Sequence, residues 1–334
     1  MIISVSRRTD IPTWYADWFF NRLRDGHVLV RNPMNYHQVS SVRLTKDVVD
    51  CFVFWTKNPS NILPRLSELS GYNYYFQVTI NDYKNMIHKG SFEYEKIESH
   101  APEIEKQVLD IEKHVPDVEK VIASFIALSK TIGRHKIIWR YDPIIITSKL
   151  TVASHLKNFE MIAKKLAGYT KKCVISFVDD YAKTDKQMKA IGALPISSEM
   201  MLQIGVGLSR IGRTYDMTIL TCAEAIDLSP VGIDHSRCID DQLISEIIGQ
   251  PLSVEKDKNQ RAYCGCVSSI DIGAYNTCGN GCIYCYANHN EGLVAANMKK
   301  HDPDSPLLIG QVAADDVIKE RLMVSYIDRQ LRLY

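Results

Sequence analysis

The apolar residues of this chain fall into short continuous runs separated by longer stretches with helical spacing. Runs rich in β-branched and aromatic residues stand at 2–6, 27–31, 51–56, 74–80, 136–141, 173–178 and 217–221, as buried strands do. Between them, apolar positions recur at helical intervals over 117–132, 150–166 and 197–211. Asp10 and Pro12 supply an N-cap and a first-turn proline for one further helix through Leu23, which Gly26 stops. Strands alternating with helices predict an α/β fold whose mainly parallel sheet closes, fully or partly, as a TIM-type (β/α) barrel. The runs at 28–31 and 39–44 instead predict a hairpin around Asn32 and Pro33.

Two stretches depart from the repeat. Residues 82–116 are polar and highly charged and read as an excursion with a solvated helix near 104–114. From Pro306, the apolar spacing predicts an amphipathic helix through about Met323. No stretch has the composition of an interdomain linker. The expected organisation is therefore residues 1–221 as the main part of the barrel and 222–334 as a cysteine-rich segment packed on the same barrel.

Composition narrows the function classes. A chain of 334 residues, 46% hydrophobic, can bury a sizeable core. Its formal charge of +1 supplies no global field to gather nucleic acid or an anionic membrane. No apolar run approaches spanning length, and no basic segment followed by an apolar one opens the sequence, so a soluble cytoplasmic protein without a membrane partner is expected. Seven of the nine cysteines fall between Cys222 and Cys285, which in such a chain favours metal ligation or redox chemistry over disulfides. Cys51 and Cys173 head apolar runs and read as buried, inert thiols.

The sharpest chemical signal is Thr277-Cys-Gly-Asn-Gly-Cys-Ile-Tyr-Cys-Tyr286. Its C-x3-C-x2-C spacing puts Cys278, Cys282 and Cys285 into one short loop, which Gly279 and Gly281 allow to turn sharply. Three thiolates hold a [4Fe–4S] cluster with one iron open to a non-protein ligand, whereas four would close it. A zinc site recruiting His289, or a redox pair of Cys282 and Cys285, are the alternatives. A second group, Cys222, Cys238, Cys264 and Cys266, has the four thiols of a closed site. It fits an auxiliary [4Fe–4S] cluster, with structural zinc, or thiols that bind no metal or have mixed roles, as the alternatives.

The cysteine loop resembles the signature of the radical S-adenosylmethionine superfamily. The stretch from Asp257-Lys-Asn-Gln-Arg through Tyr286-Ala-Asn resembles the uncharacterised DUF1848 family, as do Ser6-Arg-Arg-Thr-Asp-Ile-Pro12, Phe54-Trp-Thr-Lys-Asn-Pro59, Trp139-Arg-Tyr-Asp-Pro143 and His301-Asp-Pro-Asp-Ser-Pro306. In the superfamily the cysteines usually follow the first barrel strand, near the N-terminus; here they lie near the C-terminus. A circular permutation reconciles the two, with 268–275 as the strand feeding the loop and 2–6 as its neighbour in space. The resemblance implies that the open iron chelates S-adenosylmethionine, that the reduced cluster cleaves it, and that the resulting radical takes hydrogen from a substrate. It also implies a flavodoxin-like or ferredoxin-like reductant, and places Tyr284 near the adenine of the cosubstrate.

Charged residues just after strands gather at the mouth of a barrel, and Arg7, Arg8, Asp10, Lys57, Asp142, Asp179 and Glu224 all stand there. The segments around Lys57 and Asp142 are similar to parts of spore photoproduct lyases, radical enzymes that act on DNA. That likeness makes Lys57 a candidate for the cosubstrate carboxylate and puts a nucleic-acid lesion among the possible substrates beside peptides, nucleosides and small metabolites. By their strand-end positions, Arg7, Arg8 and Asp142 are further cosubstrate-binding candidates. Two other readings compete: a non-radical iron–sulfur protein for electron transfer or redox sensing, and a zinc-stabilised nucleic-acid-binding protein.

Overall fold

The computed structural model describes residues 1–89, 110–179 and 184–328. In chain order its elements begin with β1 (Ile2–Val5), α1 (Ile11–Trp14), α2 (Ala16–Asp25), β2 (His27–Asn32), β3 (Asn35–Arg43), β4 (Cys51–Thr56) and β5 (Tyr74–Thr79). There follow α3 (Tyr83–Lys89), α4 (Val118–Ile132), β6 (Ile137–Ile144), α5 (Val152–Leu166), β7 (Lys172–Phe177), α6 (Asp185–Ala190), α7 (Ser198–Thr214) and β8 (Thr218–Cys222). The remainder comprises β9 (Asp234–Ser236), α8 (Asp241–Ile248), β10 (Ile270–Asp271), α9 (Glu291–Met298) and β11 (Val317–Glu320). Eight strands form a mainly parallel sheet in the order β10-β1-β4-β5-β6-β7-β8-β9, with flanking helices, and β11-β3-β2 form a small second sheet. The expected α/β architecture is thus present. Among the described residues, no helix is long and apolar enough to cross a membrane.

The chain divides into two compact units. The first comprises Met1–Val78, Ser236–Gly279 and Ala287–Tyr334; the second comprises Thr79–His235 and Asn280–Tyr286. In the first, β1 lies between β10 and β4 and is parallel to both, with Ile3 opposite Ile270 and Phe52. The strand that leads to the cysteine loop is therefore the spatial neighbour of the first strand of the chain, as the sequence suggested. One face of these strands is packed by aromatic rings: Phe54 stacks on Phe76 at 4.5 Å, and Phe19 of α2 meets Phe54 edge-on at 5.3 Å. In the second unit, β6, β7 and β8 run parallel, and α5 buries His155, Asn158, Phe159, Ile162, Ala163 and Leu166 at helical spacing. Phe159 stacks on Trp139 of β6 at 4.5 Å.

Two expectations need correction. The helix foreseen through Leu23 is two helices, broken at Tyr15, whose φ of −136° leaves the helical region and whose hydroxyl donates to the Thr277 carbonyl. Asp10 does cap the first of them, accepting from Thr13 N, and Gly26 ends the second. After Pro306 no helix forms among the described residues. The Asp316 carboxylate accepts from the Ala313 amide, a local bond that competes with helix, and Val317–Glu320 pairs with β3 in parallel. The helix foreseen near 104–114 falls largely outside the described residues, and its described end is turn, with Glu112 bridging to Cys282. The hairpin of β2 and β3 is as expected, with a register irregularity between Arg31 and Asn32.

Candidate functional site

Within the first unit, β10, β1 and β4 run in one direction. The segments leaving their C-terminal ends carry Cys278, Arg7 with Arg8, and Lys57. Asp271, at the end of β10, fixes the turn after β1. Its carboxylate accepts from Ser4 Oγ and Ser6 Oγ at 2.6 Å each, from Arg7 N at 2.7 Å and from Gly273 N at 3.0 Å. Arg7 Nε and Arg8 Nε both approach it to 3.9 Å, and Arg7 Nη2 lies 3.7 Å from Asp257. The Arg8 guanidinium also stands 5.1 Å over the ring of Tyr275. Both arginines are thus turned onto carboxylates of their own unit. Asp10 links the next two strand ends, one oxygen capping Thr13 N and the other accepting from Lys57 N at 2.8 Å.

The loop that follows β10 is braced from both flanks. Asn288 Nδ2 donates to the Cys278 carbonyl at 2.8 Å, and Asn297 Nδ2 to that of Asn276 at 3.0 Å. A Cβ on Gly279 would stand 2.8 Å from the Trp14 ring, so the backbone there touches the indole and admits no side chain. Burial pushes the Tyr15 hydroxyl pKa up, and the neighbouring Cys278 adds to the effect.

Within the second unit, residues 280–286 dock as a short ribbon on 111–114. Ile283 N donates to Ile111 O at 3.1 Å and His114 N to Asn280 O at 3.0 Å. Gly281 has φ of +67°, and a Cβ there would meet Lys113 Cβ at 3.0 Å. Cys285 N closes a turn onto Cys282 O at 3.2 Å. Tyr284 packs against Tyr83, Met86, Ile111, Ile145 and Leu150 while its hydroxyl donates to Glu112. Burial drives the Tyr284 hydroxyl pKa well up, reinforced by Cys282 and Glu112, so the phenol stays protonated.

Glu112 also accepts from Asn81 Nδ2 at 3.1 Å. Asn81 in turn exchanges bonds with the backbone of Asp142, donating to its carbonyl and accepting from its amide, each at 2.8 Å. Asp142 is not presented alone: its Oδ2 receives Arg140 Nε at 2.9 Å and Nη2 at 2.5 Å, and its Oδ1 meets Ser176 Oγ. Arg140, 6% exposed, therefore finds its partner two residues along the same strand. Glu224 accepts from Phe177 N at 3.0 Å, a strand-capping contact. A cavity of about 190 Å³, walled by Asn81, Lys84, Glu112, Val115 and Val118, opens beside this network.

The second cysteine group is placed in part. Cys238, Cys264 and Cys266 lie in the first unit, 7%, 7% and 2% exposed. Cys222 ends β8 in the second unit and is half-buried. Hydrogen bonding with Cys238 lowers the pKa of the Cys266 thiol, but its bond with Cys264 and its burial outweigh this and raise it to about 11. Cys51 and Cys173 are buried as expected, and burial keeps Cys173 protonated. Glu112, Asn81 and Asp271, all central to these networks, were not foreseen as site residues. Only Asp271 left a trace, as a lone acid within the apolar Ile270 to Ile272 run.

Comparison with known proteins adds a family. The family described as a domain of unknown function, DUF1848, matches residues 2–108 and 101–287. No curated protein matches the chain in sequence. Among solved structures, one from Bacteroides thetaiotaomicron VPI-5482, provisionally described as an alpha-L-fucosidase, is 17% identical over 55% of this chain and 68% of its own, with a TM-score of 0.22.

Proposed function

Starting from a chain that belongs to the DUF1848 family, we propose a radical S-adenosylmethionine enzyme in which Cys278, Cys282 and Cys285 hold a [4Fe–4S] cluster and leave one iron to the cosubstrate. The observation that carries this reading is the composition of the loop. Three thiols, none in a disulfide, stand within eight residues; of the two glycines between the first pair, Gly279 is closed to a side chain by Trp14 and Gly281 holds a φ of +67° against Lys113. This donor set fits a cluster with an open site: soft, all-thiolate, and one short of closure. When bound, such a cluster supplies the single electron that splits the carbon–sulfur bond of S-adenosylmethionine, whose nucleoside fragment then takes hydrogen from the substrate.

The fold reading that accompanies this function is a circularly permuted (β/α) barrel with β10 as its first strand, supported by the parallel pairing of β10 with β1. The chain's own residues hold and orient. Asp271 gathers the β1 turn against the strand that feeds the loop, and its ion pairs direct Arg7 and Arg8. Arg7, Arg8 and Asp142 are among the residues proposed to meet the cosubstrate, the arginines held by Asp271 and Asp142 paired with Arg140. Lys57 is the residue proposed to meet the cosubstrate carboxylate, and Tyr284 to flank its adenine, held in place by Glu112. The electron comes from a flavodoxin-like or ferredoxin-like donor, and the substrate is an organic molecule with an abstractable hydrogen.

Anaerobic reconstitution with iron and sulfide, followed by strong reductant and S-adenosylmethionine, tests the proposal. Unmodified protein is expected to yield methionine and 5′-deoxyadenosine and to show a cosubstrate-dependent spectral change that Cys282→Ala lacks. A fully loaded cluster that gives neither product, and no spectral response, overturns it.

A further inference from the structure

Three of the cysteines outside the 278–285 loop meet in the first unit. The thiol of Cys266 is hydrogen-bonded with those of both Cys238 and Cys264, which arrive from segments more than twenty residues apart. All three are almost wholly buried, and none is oxidised to a disulfide. The backbone around each is tied down independently. The Cys238 carbonyl receives Tyr75 Oη at 2.5 Å and Gln77 Nε2 at 2.8 Å, both from β5. Cys264 N donates to Arg261 O at 2.9 Å, and the Cys266 carbonyl accepts from Asp257 N at 2.9 Å. Ile239 N is aimed at the Cys266 sulfur itself, 3.3 Å away.

A buried thiol by itself is a small apolar side chain. Two thiols on a third, with a main-chain N–H directed at the shared sulfur, form a different object. Thiol hydrogen bonds are weak, and packing would be served as well by valine or alanine, without a polar N–H pointed at the group. Thiolate ligands of metals, by contrast, carry negative charge that such an N–H stabilises, and second-shell hydrogen bonds of this kind orient the ligands. We propose that Cys238, Cys264 and Cys266 are ligands of a second metal centre, one that takes a soft, thiolate-binding metal as an iron–sulfur cluster or as zinc. Loading it releases the thiol protons. The centre would also cross-link Ser236–Ile239 to the segment that leads into β10, fixing the approach to the cysteine loop. The inference does not depend on the loop chemistry proposed above.

The decisive protein is the full chain with Cys278→Ala, Cys282→Ala and Cys285→Ala, prepared anaerobically with iron, sulfide and zinc, and assayed for bound metal and acid-labile sulfide. It is expected to retain about four iron atoms with sulfide, or about one zinc, per chain. Adding Cys264→Ser and Cys266→Ser to that background is expected to abolish the retained metal. The complementary variant, Cys264→Ser with Cys266→Ser alone, is expected to lose the second centre while keeping the loop's metal. A loop variant that folds but holds no metal overturns the inference, as does a Cys264→Ser/Cys266→Ser protein with the same metal content as unmodified chain. Failure of the loop proposal reads differently: the triple-alanine variant then carries as much metal as the unmodified protein.

Discussion

The hydroxyl of Tyr284 donates to the carboxylate of Glu112, joining residues 172 positions apart. The contact fastens the cysteine loop to the end of the charged excursion, and through Asn81 it continues to the backbone of Asp142 within β6. Tyr284→Phe removes one donor to a buried carboxylate and is expected to cost about 1–3 kcal/mol in urea unfolding. Glu112→Gln, which still offers an acceptor oxygen, is expected to cost less. If the pair also positions the loop, Tyr284→Phe lowers the yield of 5′-deoxyadenosine at full cluster loading.

Gly281 holds a left-handed conformation against Lys113. Gly281→Ala is expected to destabilise the protein by about 1–2 kcal/mol, the penalty of placing a Cβ in that region, and to reduce iron incorporation during reconstitution. Thermal unfolding and iron assay together check it; normal values in both would show that the ribbon adjusts freely.

Asp271 is the acceptor for two hydroxyls and two amides. Asp271→Ala leaves those donors and two nearby arginines without their carboxylate and is expected to cost about 3–5 kcal/mol. Asp271→Asn preserves the shape but cannot accept from all four donors, and should fall between alanine and the native residue. Guanidinium denaturation of the three proteins gives the order directly.

His155 is buried between Tyr141 Oη and the Ile145 carbonyl, 2.8 Å from each, and burial pushes its pKa from 6.5 down to about 4. Between those values the unfolded chain binds the extra proton and the folded protein does not, so stability rises with pH across the window. The contribution is fully present above pH 6.5 and lost as pH falls toward 4, up to about 3 kcal/mol. His155→Gln is expected to flatten this part of the stability profile, measured by urea unfolding at stepped pH.

Much of this molecule was legible from residue pattern alone. The strands at 2–6, 51–56, 74–80 and 173–178 announced themselves because buried parallel strands are continuous apolar runs. The neighbouring of β10 and β1 followed from where the cysteine loop stands in the chain. What pattern could not show was polar partnership. Glu112 sits in a charged stretch where nothing marks it from its neighbours, and it becomes distinctive only when Tyr284 arrives from far along the chain. Arg7 and Arg8 were rightly placed after a strand, whereas Asp142 lies inside β6, which runs on to Ile144, and sequence gives no account of which carboxylate or guanidinium each would meet. The region after Pro306 misled because its apolar spacing suits a helix, while the side chain of Asp316 and pairing with β3 favour extended chain.

The contact between Trp14 and Gly279 has an optical consequence. An indole lying directly on the backbone beside Cys278 is an internal gauge of what that loop carries, because a coloured or paramagnetic group arriving there would dim its emission. Trp14→Phe subtracted from the unmodified protein isolates that signal from Trp18, Trp55 and Trp139, so assembly of the loop can be followed in real time without adding a probe.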